Sequence, residues 1–286
     1  MTILDMHNYL NLEIDKSDAL DSVGFEPEEL DYWLNSAIRS LVKTKYKGSS
    51  SARGEAFEQN QKRIDDLRTL IEEIEIIPSR GEETSDKPYS YKASLPSSPS
   101  YWFALSEEVL IAYQSSTTPT ANGALVVDTV YKVSGGSIEH GSPAVEYTDG
   151  EYFIAETTNY IGDGSVYQCT TKRQGITEVT ADTYRFYIDN PYSEHILENY
   201  KAEPLRLFKE NEVELITDGN YGIIKYYLRY LREPATVSYS DGTPTGDSDL
   251  PEHIHDEVVK LAASMILENT ENPRYKTHMN EVFRTE

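Results

Sequence analysis

The sequence predicts an α+β protein. A helical base is built from an N-terminal helix pair and a C-terminal helix, joined to an antiparallel β region and an inserted small β-sandwich or barrel module. Three observations carry this reading. Apolar residues recur at helical spacing near both ends of the chain. The middle breaks into short alternating segments divided by Gly and Asp turns. A dense aromatic strand, YGIIKYYLRYLREPATVSY, then leads through a Gly/Pro/Asp loop to a last helix, LPEHIHDEVVKLAASMILENT.

Taken in order, residues 1–24 read as an acidic N-terminal arm with scattered apolar residues (Ile3, Leu4, Leu10, Leu12), either a free terminus or a segment that docks on a neighbour. Residues 25–99 read as the first part of a helical base and a linker. Glu26-Pro27-Glu28-Glu29 opens a helix with acids in its first turn, where they complement the helix dipole. Leu30, Trp33, Leu34, Ala37 and Leu41 form its apolar stripe, and Gly48 ends it. A second helix is expected over about Glu55–Ile76, striped by Phe57, Ile64, Leu67, Ile71 and Ile74 and closed by Pro78, antiparallel to the first. The Pro-, Ser- and charge-rich run after Pro78 reads as linker.

Residues 100–190 read as an inserted β module, with a compact insert around 124–172, because Gly-Gly, Asp-Gly and Gly-Asp-Gly turns separate its short strands. Residues 191–286 supply a strand pair joined at Asp218-Gly219 and the C-terminal helices that complete the base. In the last helix Ile254, Val258, Leu261 and Met265, spaced four, three and four apart, predict one buried stripe.

With 286 residues the chain can bury a sizeable core and is expected to form two domains. Its 22 tyrosines suit half-buried strand faces and protein contacts, since each combines an apolar ring with a polar tip. A net charge of −23 argues against a nucleic-acid-binding surface, which needs clustered Lys and Arg. Only residues 35–80, with nine Lys/Arg against seven Asp/Glu, could offer a basic face to an acidic partner. Cys169 is the single cysteine, so no intramolecular disulfide can form. The acidic N-terminus does not read as a secretory signal, and no apolar run long enough to span a membrane is present.

Each candidate for chemistry has a plainer reading. His253 and Glu257 could share a helix face as metal ligands, but the spacing is not that of the metalloprotease helix, and a polar first turn opened by Asp249 and Pro251 explains them. Asp163-Gly164 and Asp218-Gly219 resemble fragments of calcium loops without the further ligands, and read as turns. Glu107 and Glu108 are adjacent, so on one strand they point to opposite faces and cannot serve one bond; Glu82-Glu83 is an equally weak acid/base pair. Cys169 reads as a half-buried strand residue, and Gly135-Gly136 as a turn without the helix and Lys of a phosphate loop. Lys62, Arg63 and Arg68 form a solvated helix face or a contact for an acidic neighbour. Tyr226, Tyr227 and Tyr230 could line a sugar-binding groove or simply pack. The expectation is therefore no enzyme, with no catalytic, cofactor-binding or metal residue and no cofactor.

The combination of AEPLRLF…VELITDGNYGIIKYYLRYLREPATV with DLPEHIHDEVVKLAASMILE resembles head-to-tail connector proteins of tailed bacteriophages, and more narrowly the neck ring proteins of crAss-like phages. The helices EELDYWLNSAIRSLVKTKY and FEQNQKRIDDLRTLI are similar to those families too, while the segment at about 100–190 resembles a family-specific decoration. The resemblance implies a cyclic homo-oligomer, typically a dodecamer, docked below the portal protein and in contact with other neck or tail proteins. It implies a location in the virion neck, with assembly in the host cytoplasm, and genomic DNA passing through the channel without specific binding; no membrane is involved. A carbohydrate- or surface-binding β module is the competing reading, and a carboxylate-based hydrolase a third.

Overall fold

The computed structural model describes residues 1–15, 25–47, 61–81, 87, 89–240 and 243–270. The fold is α+β, with antiparallel sheets and a C-terminal helix as the sequence predicts. From the N-terminus come α1 (Ile3–Asp15), α2 (Pro27–Lys47), α3 (Gln61–Leu67), β1 (Ile71–Ile76), β2 (Ser79–Arg80), β3 (Ser90–Ser94) and β4 (Tyr101–Gln114). The central strands are β5 (Val130–Ser134), β6 (Ile138–His140), β7 (Val145–Tyr147), β8 (Tyr152–Ile154), β9 (Ile161–Gly162) and β10 (Ser165–Gln174). They are followed by β11 (Thr177–Glu178), α4 (Tyr184–Ile188), β12 (Leu205–Phe208), β13 (Glu212–Ile216) and β14 (Tyr221–Arg232). The hairpin β15 (Ser238–Ser240) and β16 (Thr243–Gly246) precedes α5 (His255–Asn269). Two compact units result: a helical one from Met1–Glu72 and Leu231–Glu286, and a β unit from Glu73–Tyr230.

In the helical unit α1, α2 and α5 pack against one another. The segment read as an arm is a helix over Ile3–Asp15. Its start is a reciprocal cap: the Asp5 amide donates to Thr2 Oγ1 (3.3 Å) while the Asp5 carboxylate accepts the Thr2 amide (3.0 Å). That backbone bond, with the Thr2 hydroxyl, holds the Asp5 carboxyl below its ordinary value. Ile3, Met6, Leu10 and Ile14 are buried, whereas Leu4 and Leu12, which the reading grouped with them, face outward.

The second expected helix is corrected. Gln61–Leu67 is helical and Arg68–Leu70 forms a 3-10 turn, but Ile71–Ile76 is a strand; Phe57 lies outside the described residues. The run IEEIEI alternates, with Glu73 and Glu75 exposed and Ile74 and Ile76 turned inward, and β-branched residues at period two favour the pleat over the helix. The stripe on α5 is also wider than expected. Ile254 and Val258 are buried, but Ala262, Ala263, Ile266 and Leu267 complete the buried face, and Leu261 and Met265 are only half-buried. Contact with both α1 and α2 encloses more than one stripe of the helix.

Two polar residues one turn apart on α2 fix the hairpin. Asp31 accepts the Tyr239 amide (2.8 Å) on Oδ2 and meets His7 Nε2 (2.8 Å) on Oδ1. The Asn35 side chain accepts the Val237 amide and donates to the Val237 carbonyl, both at 2.9 Å. Each satisfies backbone groups that burial would otherwise strand.

The β unit holds a six-stranded sheet, ordered β1-β14-β4-β10-β5-β8, and a five-stranded sheet, ordered β11-β12-β13-β3-β2. Their inner faces share one core, with Val109 and Ile111 of β4, Val213 and Leu215 of β13, and Tyr226, Leu228 and Tyr230 of β14. Along β14 the alternation is strict from Lys225 to Tyr230: Tyr226, Leu228 and Tyr230 point in, Lys225, Tyr227 and Arg229 point out. The small sheet β7-β6-β9 lies in a stretch with its own core of Tyr131, Val133, Ile138, Phe153 and Val166. The segment at 100–190 is thus not one inserted body. Its longest strands, β4 and β10, pair with each other inside the six-stranded sheet, and the unit boundary falls at Glu73 and Tyr230 instead.

Candidate functional site

The structure places the sequence candidates in ordinary structural roles. His253 Nε2 meets Asp66 Oδ1 (3.0 Å), and Glu257 is held by the ammonium of Lys45 (2.9 Å), which also reaches Asp66 Oδ2 (3.1 Å). A cation is already present between the carboxylates, so His253 and Glu257 do not converge on a shared metal position. No cluster of three or more His, Cys, Asp or Glu that could hold a metal occurs among the described residues.

Glu107 and Glu108 face opposite sides of β4. Glu107 pairs with Arg206, and the Tyr226 hydroxyl donates to it; Glu108 pairs with Arg173 (3.4 Å) on the outer face. Burial pushes the Tyr226 phenol up, so it stays a donor, and the second nitrogen of Arg206 reaches Glu178 (2.6 Å). Arg206, Glu107 and Tyr226 form an interior polar brace between β12, β4 and β14. Tyr227 lies under the Arg173 guanidinium (4.0 Å), while Tyr226 and Tyr230 are in the core, so these three do not form a groove.

Cys169 is buried on β10 and its thiol is pushed up to about 12 by burial, the setting of an inert thiol. Asp163 Oδ1 accepts the Ser137 amide (3.1 Å), and Asp218 accepts from Asn220 and the Leu197 amide, all at 2.9 Å; both are turn carboxylates. Lys62 and Arg68 are exposed on the helical unit; the side chain of Arg63 and the pair Glu82-Glu83 lie outside the described residues.

A site the sequence reading missed lies wholly within the β unit. Arg80, Ser90, Tyr91, Lys132, Ser134, Thr148, Asp149, Gly150, Tyr152 and Tyr221, with Tyr89 and Gly219, line a cleft of about 560 Å³. Strands β2 and β3 bring in Arg80 opposite Tyr91, and β5 paired with β8 brings in Lys132 opposite Tyr152. The turn Thr148-Asp149-Gly150 closes one wall: the Gly135 amide donates to Asp149 Oδ1 (2.9 Å), and Arg80 Nη1 donates to the Asp149 carbonyl (3.2 Å). A second space, of about 330 Å³, shares Arg80, Tyr91 and Tyr152 with the first.

Two glycines shape this cleft. At Gly222 of β14 a Cβ would stand 2.4 Å from the Tyr152 ring, and at Gly219, where φ is +83°, it would stand 2.3 Å from Tyr89. Glycine lets both rings lie against the backbone. The Lys132 ammonium sits 5.5 Å from the Tyr152 ring centroid. Burial raises the phenols of Tyr91, up to about 12, and of Tyr152 and Tyr221, so all three hydroxyls keep their protons. Tyr221 donates to the His195 carbonyl (3.0 Å), but Tyr152 Oη and Ser90 Oγ are buried with no hydrogen-bond partner among the described residues. The cleft is thus lined by Arg80, Lys132, the backbone-engaged Asp149 and several hydroxyl-bearing residues, but the hydroxyls of Ser90, Tyr152 and Tyr221 are buried beneath its surface. The only sequence signal was Gly222, a lone glycine inside a strand of large residues.

The chain matches no protein-family model and no curated protein.

Proposed function

We propose that this chain is a structural virion protein that forms a ring in a phage neck, joins the portal to the tail, and lets DNA pass through its channel. The observation that carries the proposal is the construction of the helical unit. Helices α1 and α2 from one end of the chain and α5 from the other close on each other, and the long β unit leaves and returns through β1 and β14. This suits a base that ties both ends of each subunit into one block. The resemblance to head-to-tail connectors is carried by the helices near both ends of the chain and by the strand segment at 202–237, not by the segment at about 100–190.

The charge supports the passage of DNA. A wall of carboxylates repels phosphate, so a chain carrying −23 favours sliding of the duplex over sticking. Heterologous contacts between identical copies close into a ring when each rotation is a fixed fraction of a turn. Exposed Phe186, Tyr192, Tyr200 and Phe208 supply apolar contact area for such interfaces.

The test is imaging of the intact virion neck together with mass measurement and negative-stain microscopy of the purified chain, alone and with its portal. Rings on the portal–tail axis are the expected result. Finding the chain in fibres or elsewhere off that axis overturns the assignment. Tight, salt-sensitive binding of the isolated chain to duplex DNA would overturn the repulsive channel and leave the ring standing.

A further inference from the structure

We propose that the open seam of the six-stranded sheet, between β8 and the start of β14, takes an extended strand of another protein, apolar at alternate positions and with a Lys or Arg at one end. The inference does not rest on the ring reading. It starts from how the sheet curls. β8 and β14 stand at opposite ends of the run β14-β4-β10-β5-β8, yet Tyr152 and Ile154 pack in one cluster with Ile224, and the Tyr152 ring lies against Gly222. The margins almost meet, but no ladder joins them. β1, the other edge, stops at Ile76, and Pro78 has no N–H with which to carry the pairing on. The space of about 330 Å³ lies at this seam, lined by Tyr152 and Ile154 of β8, by Ile223 and Ile224 of β14, and by Ile77 and Pro78.

Main-chain chemistry makes the ligand a strand. The Glu151 carbonyl accepts the Val133 amide (2.9 Å), and Ala155 donates to the Thr129 carbonyl (2.9 Å) and accepts from the Asp128 amide (2.8 Å). Residues 151, 153 and 155 therefore face β5, and Tyr152 and Ile154 turn their N–H and C=O groups the other way. No strand follows β8 on that side, and no backbone group among the described residues bonds them. Tyr152 and Ile154 are both partly exposed, so the edge is not sealed. It also carries no charge and no proline, the usual guards of an edge strand. A peptide can add to such an edge as a further strand.

Side chains set what the strand carries. Ile77 is 75% exposed and, with Ile154 and Pro78, offers apolar surface that aliphatic residues on one face of a strand would cover. Glu151 and Glu156 line the same space against a single cation, Arg80. Burial, and then the negative fields of Glu156 and Glu151, push up the phenol of Tyr147, which lines it too. A basic end residue therefore suits the seam better than an acidic one. A second copy is a poor donor. The described segments with alternate Ile, Val or Leu already lie in helices or strands or, at 125–127, are held by the Thr158 carbonyl and the Tyr131 hydroxyl. The remaining sequence has no two such residues at alternate positions. The strand thus comes from a different protein.

The experiment presents the whole chain to an immobilised library of short peptides that alternate Ile, Val or Leu with Thr, each ending in Lys, Ser or Glu. Amide hydrogen exchange is then followed with the tightest binder in solution. Binding that favours the Lys series and slows exchange at the Tyr152 and Ile154 amides supports the proposal. N-methylation of alternate peptide amides should cut affinity about tenfold or more in one phase or the other, because it removes main-chain hydrogen bonds. Ile77→Lys, at an exposed position, should weaken binding several-fold without changing the melting temperature. No binding anywhere in the library overturns the proposal, as does preference for the Glu series. Affinity indifferent to N-methylation, or protection confined to amides away from β8, overturns it too. If the concentrated chain alone shows the same protection at Tyr152 and Ile154, a second copy fills the seam and the assignment to another protein fails.

Discussion

Replacing Lys45 with Met tests how the helical unit is held together. The ammonium of Lys45, on α2, lies 3.1 Å from Asp66 and 2.9 Å from Glu257 on α5, and the Asp66 side chain is only 4% exposed. Removing one partner of a buried pair costs about 3–5 kcal/mol, because the charge left behind is unpaired. Glu257 is 27% exposed and can return to water, and His253 stays 3.0 Å from Asp66, so the loss belongs at the low end, about 3 kcal/mol. For a unit of this size that lowers the melting temperature by roughly 10 °C.

The assay is urea and thermal unfolding followed by far-UV helical circular dichroism. Burial works to lower the pKa of Lys45, but Glu257 and then Asp66 outweigh it and hold the group above its ordinary 10.5. The folded value exceeds the unfolded one, so this stabilisation is complete below 10.5 and fades as pH rises through the folded value. The gap between wild type and variant should stay constant from neutral pH to about pH 10 and narrow above it. Adding Asp66→Asn to Lys45→Met should recover about 1–2 kcal/mol, because the double variant no longer buries a lone carboxylate. A Lys45→Met protein within about 0.5 kcal/mol of wild type would refute the reasoning, since that is the range of inconsequential surface changes.

The helical unit should also fold without the β unit. Arg232 reaches Glu72 (3.5 Å) and the Thr69 carbonyl (3.3 Å), so residues 1–72 and 231–286 can be joined by a short Gly/Ser linker, and the product should keep helical circular dichroism; a random-coil spectrum would show that the units depend on each other. Substituting Gly222 with Ala should cost about 1–3 kcal/mol in the unfolding of the β unit, because the new methyl meets the Tyr152 ring and Lys132 stands over that ring; unchanged melting would show that the ring yields freely.

Periodicity made much of the fold legible. Leu30, Leu34, Ala37 and Leu41 announced α2, and the density of aromatic residues in YGIIKYYLRYLR announced β14, although not which of its tyrosines face the core. Other parts were misread for physical reasons. Ile71 and Ile74 continue the helical spacing of Ile64 and Leu67, and nothing local marks the change from helix to strand except the Glu–Ile alternation that follows. Helix α1 was hidden by its acidity, though Thr2 and Asp5 carried the cap signature and Ile3, Met6, Leu10 and Ile14 the stripe. The cleft could not be read at all. Arg80, Ser90, Lys132, Thr148, Tyr152 and Tyr221 come from well-separated stretches, and only pairing between strands brings them together.

The tyrosines explain both the strength and the limit of composition as a guide. Tyr131, Tyr221, Tyr226 and Tyr230 are fully buried, and each spends its hydroxyl inside: on the Val126 amide, the His195 carbonyl, Glu107 and the Pro99 carbonyl. Such residues are struts, filling the core with a ring and tying a loop or a neighbouring strand with the tip. Tyr192, 92% exposed, does the opposite and leaves its ring in water, while Tyr200 keeps one ring contact, with Tyr113 at 5.3 Å. A high tyrosine count thus predicts contact surface only after the struts are set aside, and which tyrosines are struts depends on strand register. On β14 a slip of one residue would exchange Tyr226 and Tyr230 for Tyr227 and Arg229, burying a guanidinium and exposing two phenols. Register, fixed by the core that Tyr226, Leu228 and Tyr230 share with Val109 and Leu215, therefore decides which aromatic rings remain for a neighbouring copy or a ligand.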